Sequence, residues 1–418
     1  MNATAGELIM YVTAYFGLFT SIFFLITLIE NKNKLKNPVP KKTLSASIIV
    51  PAYNEEKTLA KTIKSLLALN YPKDKLEIIV VDDGSTDKTL EIANMIASKK
   101  ENKFPVKVLT KENGGKGQAL NISIKQAKGE LVGALDADSF VHPDALYNII
   151  GHFNEKKVMA VTPSMKVHEP KNILQKVQAM EFLLGIFLRK VFGLLDSIHV
   201  TPGPFTIYRK EFFNKYGGYD ENNITEDIEI ALRIQSLGFK IRNSVDAFVH
   251  TSSPSKFMPL MNQRIRWYRG FMDNVINYKQ LFGPKHGNLG MFILPASLVS
   301  VALVILSVGY TLFSMARSNF KMIKNWYNVD FDLLKMIKFD FDFFFFDGSS
   351  LVFIGLLAFA LGIVVIYNAK KISLENKSIK VSYAYFLIFY LPLFAFWWSM
   401  AIYYKTFNKK IKWAGKSL

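Results

Sequence analysis

Cysteine is absent from the 418 residues, which excludes disulfides, thiol catalysis and cysteine-ligated zinc. The lysine-bearing glycine run, "ENGGKGQAL", matches neither the phosphate-loop pattern nor the G-x-G-x-x-G dinucleotide fingerprint. No internal repeat occurs at solenoid periods. Charge is missing from four windows of about membrane thickness, Leu8–Ile29, Gly287–Ala316, Gly348–Ala369 and Val381–Tyr404. In a chain that is 50% hydrophobic with mean hydropathy +0.16, they read as four transmembrane helices attached to a soluble part.

No lysine or arginine precedes the first window and no small-residue cleavage pattern ends it, so it reads as a retained anchor rather than a secretory signal. Lys32, Lys34, Lys36, Lys41 and Lys42 follow it, and basic flanks stay cytoplasmic. The large middle segment is therefore expected in the cytosol. Three further crossings put the C-terminus outside, yet the tail after Tyr404 carries five lysines, which the same rule disfavours. The run Phe341–Phe346 is a candidate interfacial or re-entrant piece that would change the count. A formal charge of +18 suits nucleic acid, anionic lipid or phosphate-bearing substrates; beside membrane spans, lipid headgroups and a nucleotide are the better fit.

From Leu44 to about Val249 short β-rich runs alternate with helix-compatible stretches such as Lys57–Leu69 and Leu90–Lys99. That order predicts a mostly parallel sheet with helices on its faces, whose ligands lie beyond the carboxyl ends of the strands. Two predicted strands end in acids: Asp82 and Asp83 after "IIVV", Asp136 and Asp138 after "VGAL". Four carboxylates are thus expected in one crevice.

"DDGSTD" is also what any strand-to-helix turn uses, with Ser85 or Thr86 as a cap. "DAD" is sharper, because alternate residues of an extended segment point the same way and offer two carboxylates to one hard cation; its plain alternative is a surface turn. Lys116 stands in a basic loop or an ordinary turn before a helix over Gln118–Ala127. Thr225 opens an amphipathic helix, with Glu226 and Asp227 as first-turn acids suited to the helix dipole or as carboxylates able to deprotonate a hydroxyl. In "NQRIRWYRG", Gln263, Arg266 and Trp267 share one helical face while Arg264 points elsewhere. That face can bind phosphate and support a sugar ring, or can sit at headgroup level. Ile173–Leu195, interrupted by Lys176, Glu181, Arg189 and Lys190, reads as a helix on the membrane surface or against the spans. His250 is a third-ligand candidate or a packed histidine.

In order, "PAYNEE", "VVDDGSTD", "NGGKGQALN", "LDADS", "TPGPFTIYR", "TEDIEIAL" and "QRIRW" resemble the membrane-embedded family 2 glycosyltransferases that include hyaluronan, chitin, cellulose and poly-N-acetylglucosamine synthases. The likeness spans roughly Ser45–Gly270. It implies an α/β GT-A (Rossmann-like) domain with transmembrane and interfacial helices, and a metal-dependent inverting hexosyltransferase using a UDP-sugar with Mg²⁺ or Mn²⁺. It further implies that Ala52, Tyr53, Glu55 and Asp83 form the uridine pocket, with Lys116 by the nucleotide. Asp136 would meet ribose, diphosphate and metal, and Asp138 the metal. Asp227 would be the general base and Glu226 would shape the acceptor side. Gln263 and Arg266 would meet the diphosphate, with Trp267, Gly203 and Pro204 facing the acceptor. The implied layout is an N-terminal transmembrane helix (1–31), a cytosolic catalytic domain (45–252), an interfacial segment (253–286), a three-helix transmembrane region (287–404) and a basic tail (405–418), in the plasma membrane.

The chain departs from the pattern where Thr251 is followed by Ser252, Ser253 and Pro254 instead of a T-E-x-P segment. One span precedes the domain where several relatives have two, and three follow it, fewer than in cellulose synthases. A second copy or an accessory membrane partner is one way to complete a channel. The expected product is a growing polysaccharide moved across the bilayer; no nucleic-acid partner is expected. A non-processive transferase acting on a lipid-linked acceptor is the alternative, and a nucleotide-binding channel or receptor is the reading from another class. The donor sugar stays open among glucose, N-acetylglucosamine and glucuronate.

Overall fold

The computed structural model describes residues 5–328, 350–410, 412–413 and 416–417; the Phe341–Phe346 run lies outside them. The apolar helix α1 (Ala5–Glu30) leads into β1 (Ala46–Ala52), α2 (Leu59–Leu67), β2 (Leu76–Asp82), α3 (Thr89–Ala97), β3 (Val106–Thr110), α4 (Lys116–Gln126) and β4 (Leu131–Ala134). Next come β5 (Ser139–Val141), α5 (Ala145–Ile150), β6 (Val158–Val167), α6 (Ile173–Leu194), β7 (Ile207–Arg209), α7 (Lys210–Tyr216), α8 (Glu226–Ser236), β8 (Lys240–Thr251) and α9 (Phe257–Asn277). The apolar helices α10 (Leu294–Asn328), α11 (Ser350–Ile372) and α12 (Lys380–Thr406) follow.

Eight strands form one sheet in the order β3-β2-β1-β4-β7-β6-β8-β5. Its first half is parallel, as the strand–helix alternation predicts. The second half is mixed, because β7 runs antiparallel to both β4 and β6, and β5 antiparallel to β8. The long α6 excursion between β6 and β7 lets the chain re-enter the sheet from the opposite end. Solid apolar runs in β1 and β2 are buried on both faces: Ile48, Val50, Ile78 and Val80 join the core under α2 and α3, whereas Ile49, Ile79 and Val81 join the one under α4. This is the two-residue alternation of a strand covered on both sides. The parallel register brings Ala52, Asp82 and Thr110 level, so the acidic strand ends open along one edge.

Four helices are long and apolar enough to cross a membrane, α1, α10 with the turn before it, α11 and α12. The first three run side by side. Near the start of α1, Thr13 bonds Ser307 (2.8 Å) and Tyr11 bonds Ser350 (2.6 Å), while Leu28 near its end packs with Ala369 and with Met180 of α6. Thus α6 lies against the spans, as its interrupted apolar pattern predicts. The flanks of α12 behave differently. Glu375, just before it, pairs with Lys166 of β6 (3.2 Å), and Lys405 in its last turn pairs with Asp273 of α9. The Lys409 carbonyl accepts from Arg269 of α9 (2.8 Å).

Candidate active site

A cavity of about 640 Å³ opens at the carboxyl ends of the strands and continues between the apolar helices. Its polar end is formed from three segments far apart in sequence. Asp136 and Asp138 leave β4, Lys116 begins α4, and Glu226 and Asp227 begin α8. The Lys116 ammonium lies 2.7 Å from Asp136 and 3.3 Å from Glu226. Burial would lower its pKa, but Asp136, Glu226 and Asp227 outweigh that and raise it, so Lys116 stays charged at the centre of an acidic ring. Gly203 makes room for this pairing, since a Cβ there would stand 2.8 Å from the lysine nitrogen. Pro204 lines the same wall, and the next residue, Phe205, is held at φ 61° in the left-handed region, a conformation with an energetic penalty for a bulky side chain.

Burial raises the pKa of Asp138 to about 6, with the negative Asp136 adding to the effect. Asp227 is likewise pushed up to about 6 by burial and by Glu226, against the opposing pull of Lys116 and Arg266. Desolvation and a like neighbour both disfavour the anion. The start of α8 departs from the capping expected at Thr225, whose side chain makes no cap bond. Its hydroxyl instead accepts from Asn274 of α9 (3.0 Å), and Gly270 permits this, because a Cβ there would lie 2.1 Å from that oxygen. One turn earlier Arg266 donates to the Ile224 carbonyl (2.9 Å). Helix α9 is thereby locked against the segment that carries Asp227. On the other side, Thr201 donates its hydroxyl to the Asp227 carbonyl (2.7 Å).

Gln263, Arg266 and Trp267 line the cavity together, and Arg264 turns away, as helical spacing predicts. Its destination was not visible in the sequence. Arg264 is fully buried, pairs with Glu181 of α6 (2.6 Å), and places its guanidinium 4.2 Å from the Trp267 ring and 5.6 Å from that of Trp397 in α12. The indole thus has a cation behind it. A polar residue interrupting an apolar helix was the available signal, and Glu181 was one of four.

The other predicted site residues stand apart from this cavity. Asp83 accepts from the backbone of Gly114 (2.9 Å) and Gly115 (2.8 Å) and pairs with Lys111 (2.5 Å), while Asp82 accepts from Ser85. The expectation of four carboxylates in one crevice is therefore corrected. The lone pairs of Asp82 and Asp83 serve loop backbone, and only Asp136 and Asp138 of the four line the cavity. The Ala52 carbonyl accepts from Asp83 (2.9 Å). Tyr53 is half-buried beside it. Glu55 binds Thr58 (2.6 Å), and its charge reaches Asp138. His250 stacks on Phe140 and faces His168, while its neighbour Thr251 lines the cavity. Ser252, Ser253 and Pro254, where the family pattern is broken, also line it. Side chains of α6 pin this loop, Gln175 to the Ser253 carbonyl (3.0 Å) and Gln178 to that of Pro254 (2.9 Å).

Residues 47–217 match the Glycosyl transferase family 2 model. The chain is 28% identical over 366 residues, 84% of each chain, to a poly-beta-1,6-N-acetyl-D-glucosamine synthase of Staphylococcus epidermidis. It is 35% identical over 227 residues, 54% of each chain, to a protein of the same name from Staphylococcus aureus. Among solved structures, a mannosyltransferase from Pyrobaculum calidifontis, determined with GDP-mannose and Mn²⁺, superposes with a TM-score of 0.57 at 18% identity, covering 90% of this chain and 99% of that one. That likeness is one of fold. Residues 47–217, with the strand-end carboxylates they carry, thus match family 2 glycosyltransferases in sequence, their sheet shares the fold of a GT-A enzyme, and the chain is similar over most of its length to polysaccharide synthases.

Proposed function

We propose that this chain is a processive, inverting glycosyltransferase that takes N-acetylglucosamine from its UDP conjugate, extends a β-linked polysaccharide and passes it into the helices behind the site. The observation that carries this reading is the continuity of one cavity from Asp136, Asp138 and Asp227, past Trp267, to Thr20 of α1 and Ser297 and Ser300 of α10. The names of the curated relatives support the sugar and the polymer. The layout assigned is an anchor at 1–31, a catalytic domain at 45–252 on the cytosolic face of the plasma membrane, and helices behind it.

The uridine is assigned to Ala52, Tyr53, Glu55 and Asp83, at the ends of β1 and β2 beside the Gly114–Gly115 loop. Mg²⁺ or Mn²⁺ fits the donor set, because a hard cation that carries a nucleotide uses one or two carboxylates and completes its shell with phosphate oxygens and water. Asp138 and Asp136 are those carboxylates, Asp136 being shared with Lys116. Such an ion, when bound, offsets charge on the departing diphosphate. Lys116, Gln263 and Arg266 bind and orient that diphosphate.

Trp267 provides an apolar platform under the terminal sugar, with Gly203 and Pro204 opposite. Asp227 accepts the proton of the acceptor hydroxyl. The new bond forms from that oxygen to the anomeric carbon as the old carbon–oxygen bond breaks on the opposite face, UDP leaving with the electron pair. Glu226, held by Lys116, shapes the acceptor side. Incubating the purified chain with UDP-N-acetylglucosamine and Mn²⁺, then measuring UDP release and product size, tests the proposal. Long polymers are expected; transfer of one sugar per acceptor would end the processive reading.

A further inference from the structure

The cavity contains a cation that the reaction does not use. Arg189 lies on the face of α6 that also carries Glu181, Gly185 and Phe192 into the cavity, at the three- and four-residue steps of one helical stripe. Its guanidinium folds back toward the helix N-terminus over Gly185, where a Cβ would stand 3.3 Å from Nη1, so the glycine clears its resting place. Among the described residues Arg189 forms no ion pair, and its buried Nε has no hydrogen-bond partner. Burial alone lowers its pKa, to about 10, with no carboxylate opposing the effect. The nearest acid along the stripe, Glu181, is engaged by Arg264.

An unpaired guanidinium in apolar surroundings is strongly destabilising unless an anion compensates it. A neutral glycan provides hydrogen bonds but no charge. On the α1 and α6 side of the cavity, Phe24, Leu188 and Phe192 offer hydrocarbon contact beside the guanidinium. A phosphate attached to an acyl chain satisfies both the cation and the hydrocarbon. We propose that Arg189 binds the phosphate of an anionic phospholipid whose chains lie against Phe24 of α1 and Leu188 and Phe192 of α6, beside the Ser297 and Ser300 wall assigned to the product. This site is separate from the donor site and does not depend on whether the product is a polymer or a single-sugar conjugate.

The test uses the full chain, stripped of lipid in detergent, with phosphatidylglycerol, phosphatidylcholine or inorganic phosphate added separately. Native mass spectrometry and the thermal unfolding midpoint are the readouts. Retention of phosphatidylglycerol with a raised Tm is expected. Arg189→Gln should weaken that retention about tenfold, the scale of one charge-assisted contact, whereas Arg189→Lys should keep most of it. Phosphatidylcholine, whose phosphate is already paired with its own cation, and inorganic phosphate should do neither. Equal retention of the two lipids by the unaltered chain overturns the proposal without reference to any variant. So does equal phosphatidylglycerol retention by Arg189→Gln, or a Tm shift that inorganic phosphate reproduces. Arg189→Leu, which removes the uncompensated charge, is expected to unfold no earlier than the unaltered chain in stripped detergent and to gain nothing from phosphatidylglycerol; a gain equal to that of the unaltered chain also overturns it.

Discussion

Asp227 is a carboxylate in a place where ionisation is costly, and that suits the task proposed for it, to take up a proton. With its pKa raised to about 6 by burial and Glu226, it is protonated below that value and cannot accept the hydroxyl proton. The sign is therefore fixed: kcat/KM for transfer should fall by about tenfold per pH unit on the acid side of roughly pH 6. Asp227→Asn should lose about 10²–10⁴-fold in kcat, the usual range for a general base, with UDP binding retained. Activity assays across pH, paired with UDP binding measurements, check both statements. The residue-level reading put both "DAD" carboxylates in the cavity, though they reach it from a tight turn, in which the Ser139 N–H donates to the Asp136 carbonyl (2.9 Å), and not from an extended segment. It was inaccurate for Asp82 and Asp83, because sequence shows that an acid ends a strand but not that Gly114, Gly115 and Ser85 will claim its oxygens.

At the scale of elements, periodicity located the helices well: α6 and α8 begin where the apolar stripe and the cap-like residue suggested, and the Gln263, Arg266 and Trp267 face is intact. What periodicity cannot express is which helix a face meets. The Arg264–Glu181 pair joins α9 to α6 across 83 positions, and nothing local to either residue announces the other. Helix α12 is the strongest case. Its composition reads as a crossing, but both of its flanks are fastened to elements of the catalytic side, Glu375 to Lys166 and Lys405 to Asp273. We propose that a helix so tied leaves its tail on the side it came from, a reading that also reconciles the basic tail with the positive-inside tendency. Since the chain has no native cysteine, single substitutions report sidedness without background. Ser417→Cys and Ser98→Cys should both resist a membrane-impermeant maleimide in intact cells and react after lysis; labelling of Ser417→Cys in intact cells would restore the fourth crossing.

For the whole molecule, the notable arrangement is that one cavity belongs to both halves. Strand-end carboxylates form one end and the helices α1 and α10 the other, so on the proposed function chemistry and passage of product share walls. Filling the helical end should separate the two. Ser300→Trp is expected to shorten the product severalfold while UDP release in short incubations stays within about twofold, the tolerance of a substitution remote from the transition state; polymer length measured on gels decides it. This sharing was legible only in outline. The order of apolar and β-rich segments gave a catalytic domain beside a membrane, but the contact between them depends on α6, whose mixed apolar and charged sequence has no single interpretation until both of its neighbours are known.

That same helix holds the 253–254 loop through Gln175 and Gln178 on one side and packs Met180 and Leu183 against the anchor and α11 on the other. It is a stiff strut between the hydrocarbon layer and the reaction centre. A bilayer that grows thicker or thinner tilts its embedded helices, and such a tilt reaches the cavity through this strut, as it does through the contacts of α12 with α9. Acyl-chain length then becomes an input to synthesis, and the enzyme is responsive to the fabric in which it is set.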